Sequence, residues 1–106
     1  MLPDELYSRR LTWDDAQHLA GEPVELIADE AKPVATLMTV ASVEIRSAGD
    51  PFQFAIVFHG PPGTVLEQRT YRFRHRRLGE YAIFITAIAH NPTATEYEAC
   101  FTSRGS

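Results

Sequence analysis

Phe52-Gln53-Phe54-Ala55-Ile56-Val57-Phe58-His59 decides the fold class. Its large apolar residues recur every second position. That period of two belongs to a strand with one face on a core. Downstream, Pro62-Gly63 suits the centre of a type II turn, with proline fixing φ and glycine supplying positive φ. Thr70–His75 alternates again, with Tyr71, Phe73 and His75 opposite Arg72 and Arg74. Arg76-Arg77-Leu78-Gly79 closes a hairpin into Glu80–Ala89. That segment is apolar on both faces, as in a central strand or one covered by a helix. A turn at His90-Asn91-Pro92-Thr93 leads to a last strand, Glu96–Thr102, with Tyr97, Ala99 and Phe101 inward.

Upstream, Ser47–Pro51 is a connection, and Val34–Arg46 reads as a long strand bent near Ala41-Ser42. A turn at Asp29–Pro33 separates it from a strand over residues 24–28. Thr12 and Asp15 have capping-box spacing, Leu11 is placed to staple the entry, and Gly21 is a stop signal. A short helix over Trp13–Ala20 follows from these, and residues 1–10 read as a loose, flexible arm. The expectation is a mainly β domain over residues 11–103. About six antiparallel strands form a meander, closed into a small barrel or folded as a sandwich, with one N-terminal helix.

Composition narrows function mainly by exclusion. The chain has 106 residues, a net charge of −4 and one cysteine, Cys100. An intrachain disulfide and a multi-cysteine zinc site are ruled out. Neither an apolar leader nor a run near the roughly 20 residues of a membrane span is visible, so a cytoplasmic protein is expected. Gly60-Pro61-Pro62-Gly63-Thr64 opens like a phosphate-binding loop. It continues with Val65-Leu66-Glu67 instead of the lysine and hydroxyl that such a loop needs, so a plain turn is the better reading. Cys100 follows Glu96 and Glu98 on the same strand face and lacks a partner base. His59, His75 and Cys100 form a metal or catalytic set only if adjacent strands bring them together, and inward His75 opposes outward Cys100. No catalytic residue, metal site or cofactor is assigned.

Charge is unevenly spread. Eight carboxylates lie between Asp4 and Glu30, and five arginines lie between Arg69 and Arg77. Arg69, Arg72, Arg74, Arg76 and Arg77, with His59 and His75, are the candidate contact residues for a protein partner or for self-association. The competing reading is cross-strand pairing with Glu80, Glu96 and Glu98. Nucleic acid is disfavoured, because Tyr71 and Phe73 point away from the arginine face. The aromatic stripe Phe52, Phe54, Phe58, Tyr71, Phe73, Tyr81, Tyr97 and Phe101 is read as core. A ligand-lined barrel is the alternative.

Several short blocks carry a resemblance over residues 11–102. They are Leu11-Thr12 with Asp15, Gly21-Glu22, Pro51-Phe52 with Phe58-His59-Gly60-Pro61, Thr70-Tyr71 with His75, Leu78 and Gly79, and Tyr97-Glu98-Ala99-Cys100-Phe101. The chain resembles an uncharacterised family of small bacterial β-rich domains. Where that pattern has an aromatic after the aspartate, this chain has Ala16, and Trp13 is placed to fill the space. The resemblance implies no activity. It implies an association with phage-tail-collar-like proteins, and hence a structural or accessory role in a tail- or fibre-like assembly. A non-enzymatic interaction module is therefore the leading expectation, ahead of a small-molecule-binding barrel and of an enzyme.

Overall fold

The computed structural model describes residues 4–28, 35–63 and 65–103. Two short helices, α1 (Asp4–Ser8) and α2 (Trp13–Ala16), precede six strands. These are β1 (Pro23–Ile27), β2 (Ala35–Ser47), β3 (Phe52–Gly60), β4 (Arg69–His75), β5 (Gly79–His90) and β6 (Thr95–Ser103). All pairings are antiparallel, and the sheet closes as β1-β2-β3-β6-β5-β4.

The alternation expected from Phe52–His59 is present. Phe54, Ile56 and Phe58 are buried with Val24, Leu26, Met38, Val40, Phe73, Ile85 and Tyr97. Ala55 and Val57, on the opposite face of β3, are buried as well. Strand β3 runs between β2 and β6, and an ion pair from Arg46 of β2 to Glu98 of β6 (2.6 Å) spans that outer face.

The meander is doubled. β1-β2-β3 and β4-β5-β6 are each three strands joined by hairpins, and the two sheets meet along β3–β6 and β1–β4. In the connection between them Leu66 packs against the core at one end of the barrel, where its amide donates to the Tyr97 hydroxyl (2.9 Å). β3 and β4 are therefore not neighbours, contrary to the adjacency that would have let His59 approach His75. The bend expected near Ala41-Ser42 is a register shift between Val40 and Ser42.

Other details differ from expectation. The helix stops at Ala16, and Leu19 turns back so that its amide donates to the Ala16 carbonyl. That turn buries Leu19 completely against the core. Thr12 does cap the helix, accepting from the Asp15 amide (3.3 Å), and Gly21 has φ +85°. Gly63 lacks the positive φ of a type II turn. Strand β5 is not apolar-covered on both faces. α1 packs against it through buried Leu6, yet Phe84 and Ile88 remain about half exposed. The stretch read as a loose arm contains α1, and Arg9 behind it is bound to the barrel. The turn at Asp29–Pro33 lies outside the described residues.

Candidate functional site

The five arginines of residues 69–77 do not form one face. Arg72 and Arg74 project outward from β4 into a ladder of carboxylates. Arg72 meets Glu80 (3.3 Å), while Arg74 meets Glu25 (3.0 Å) and Glu80 (3.7 Å). Cross-strand pairing thus accounts for both. Arg69 lies over the Tyr71 ring at 5.6 Å. Arg77 binds Glu22 (2.8 Å). Arg76 is exposed in the β4–β5 turn and has no partner among the described residues. The glutamates named beforehand divide otherwise: Glu98 pairs with Arg46, and Glu96 stands 3.8 Å from His59.

His59 and His75 sit at opposite ends of the barrel. His59 is on the outer face of β3, paired with Glu96 near the connecting loop. His75 is buried at the end of β4. Its Nδ1 accepts from the amides of Arg77 (3.1 Å) and Leu78 (3.2 Å), so the ring proton is on Nε2. That Nε2–H donates to Oε1 of Glu22 (2.6 Å). Both ring nitrogens are occupied by the fold, which leaves no lone pair for a substrate. The His75 hydrogen bond, followed by that of Arg77, holds the Glu22 carboxyl below its ordinary pKa.

Cys100 is outward, and its thiol donates to Glu98 (3.4 Å). Partial burial, then this hydrogen bond and the glutamate charge, push its pKa up, against thiolate chemistry. His75, His59 and Cys100 are not brought together. Among the described residues no group of three His, Cys, Asp or Glu side chains is placed to hold a metal ion. Among those residues no helix is long and apolar enough to cross a membrane.

A concave surface occurs where the sequence reading did not place it. Strand β5 pairs with β6 only from Thr86 opposite Glu98 to His90 opposite Thr95. The first half of β5 pairs with β4, and the last residues of β6 pair with β3. The ladder between β5 and β6 is thus not continued over Ala82–Ile83 and Phe101–Ser103, and a pocket of about 290 Å3 opens there. Trp13, Phe52, Phe54 and Phe101 form its aromatic wall. Phe54 stacks on Phe101 (centroids 4.9 Å apart), and Trp13 meets Phe52 and Phe54 edge-on (5.9 and 5.6 Å). The barrel interior beyond is filled by Phe58, Phe73 and other buried side chains, so the aromatic stripe divides into a packed core and an open mouth.

Two guanidinium groups border this mouth, and no carboxylate side chain lines it. Arg9 is saturated. It donates to the carbonyls of Glu80 (2.8 Å) and Leu78 (3.1 Å) and to the Tyr81 hydroxyl (3.2 Å), and it lies 4.2 Å over the Tyr81 ring. Arg10 is exposed and has no partner among the described residues. The sequence signal for this site was Arg9-Arg10 immediately before Leu11 and Trp13, a cationic pair beside apolar residues inside an otherwise acidic segment.

The model of one family, described as a domain of unknown function (DUF6916), matches residues 11–101. The chain belongs to this family. Comparison with curated proteins and with solved structures finds no match. The matched span holds β1 to β5 and β6 as far as Phe101, including Trp13 and the Glu22–His75 pair, while Arg9 and Arg10 lie just before it and Thr102 and Ser103 just after it. Membership in the DUF6916 family brings no activity with it, so function rests on the site.

Proposed function

We propose that this DUF6916 domain is a non-enzymatic protein-interaction module that takes part in an assembly through the open end of its barrel. The observation that carries this reading is the mouth at the β5–β6 seam. It pairs a packed aromatic wall with an arginine that has no partner among the described residues, and its lining contains no nucleophile–base pair. Aromatic and arginine side chains are the residue types that anchor protein interfaces. Arg76 and Arg77 lie in the turn at this same end, which links part of the arginine cluster to the mouth. The resemblance drawn from the sequence blocks supports a tail- or fibre-like protein as the partner. A small-molecule-binding barrel is the second reading, favoured by the pocket volume.

Photo-crosslinking tests the choice. A crosslinking amino acid at Thr102, on the rim, is expected to trap a protein adduct in the native host. The same residue at exposed Ala41, on β2, is not. The adduct should disappear with Arg10→Glu. No Thr102 adduct, or one indifferent to Arg10, overturns the reading; an adduct of only a few hundred daltons favours the small-molecule alternative.

A further inference from the structure

We propose that the mouth recognises an aromatic ring carrying a carboxylate on a short arm, presented as the C-terminal aromatic residue of a partner chain. This rests on the reading of the mouth as the contact site.

Three observations fix the chemistry. The first is size. An apolar cavity of about 150 Å3 holds a benzene molecule, so about 290 Å3 holds one ring with a short polar extension and little more. The second is the wall. The offset stack of Phe54 on Phe101 and the edge-on Trp13 are packed in advance, and such rings accept another ring with little reorganisation. The third is charge. In a chain of net charge −4, the charged side chains lining the pocket are both arginines. Arg9 is held by two carbonyls and a hydroxyl, whereas Arg10, which lines the pocket without a partner among the described residues, is placed to offer its donors to a carboxylate in a bidentate contact. The mouth is open to solvent, which leaves room for the chain preceding a terminal residue to emerge.

Trp13 is the only tryptophan, and it lines the pocket, so its fluorescence reports occupancy directly. The intact protein is titrated with N-acetyl-glycyl-phenylalanine, with its C-terminal amide, and with 3-phenylpropionate. The peptide acid is expected to shift the Trp13 emission and to bind at least tenfold tighter than the amide. The 3-phenylpropionate arm should bind more weakly than the peptide acid, because it lacks the preceding chain. Arg10→Gln should erase the preference for acid over amide. Phe101→Ala should weaken both, with amide NMR spectra confirming that each variant is folded. Equal binding of acid and amide, or no binding of either, overturns the proposal. If the free acid binds as well as the peptide, the occupant is a small acid and the chain-terminus assignment falls. If Thr102 crosslinks a partner in an Arg10-dependent way while the peptide acid does not bind, the interaction reading stands and this inference alone fails.

Discussion

Nε2 of His75 lies 2.6 Å from Oε1 of Glu22, a contact between residues 53 apart in the chain. It ties the turn after β4 to the segment entering β1. The two backbone amides on Nδ1 belong to the same knot. Removing the imidazole therefore strands two N–H groups and leaves the Glu22 carboxylate held by Arg77 alone. His75→Ala is expected to cost about 2–4 kcal/mol, each stranded, partly buried donor contributing at the low end of about 1–3 kcal/mol and the emptied imidazole site adding the rest. Urea denaturation of His75→Ala, Glu22→Gln and the double variant measures it. Strictly additive losses would show that the contact is not energetically coupled.

Glu22 also sets a pH dependence. Its folded pKa is lowered, chiefly by the His75 hydrogen bond, from an ordinary value of 4.5. A lowered carboxylate pKa stabilises the fold above the unfolded value, and that contribution drains away as pH falls through the folded value. The stability gap between the native protein and Glu22→Gln should therefore be flat above about pH 5.5 and should narrow below 4.5. A gap that widens on acidification would reverse the sign.

The Cys100 thiol is held up by partial burial and by the Glu98 carboxylate. Iodoacetamide should modify it more slowly at pH 8 than it modifies a free cysteine. Glu98→Gln should raise the rate by removing the adjacent negative charge. Mass spectrometry over a time course gives both rates, and an unchanged rate in the variant would rule out the electrostatic cause.

Gly79 has φ +88°, and a Cβ there would stand 3.1 Å from Nη1 of Arg9. Gly79→Ala should cost about 1–2 kcal/mol from the left-handed backbone alone, and it should also loosen Arg9 from Tyr81. Gly49→Ala, with open space around its Cβ, is the control and should lie within about 0.5 kcal/mol of the native protein. Thermal melts of the two variants provide the comparison.

What was legible in the sequence is what alternation controls. The strands around Phe54, Phe73 and Tyr97, the bend near Ser42 and the Thr12 cap all follow from local pattern. Partnering does not, because the period of a strand says which face is buried and not which neighbour it meets. The β3–β6 pairing, and with it the separation of His59 from His75, therefore had to come from the structure. The blocks Gly21-Glu22 and His75-Leu78-Gly79 stood out as parts of one pattern, but nothing local says that they touch. The exposed Phe84 and Ile88 carry the same apolar signature as core residues, and sequence alone cannot distinguish them. Arg10 carries no local signal of its own, because in the sequence its charge is offset by the acidic residues around it.

The two three-stranded sheets meet only across β3–β6 and β1–β4, and residues 61–68 are the single covalent link between them. Neither sheet can bury its apolar face without the other. The molecule is thus an internal heterodimer whose halves happen to share a chain. Two copies could satisfy the same pairings by trading halves, so this link is where a domain-swapped dimer would hinge.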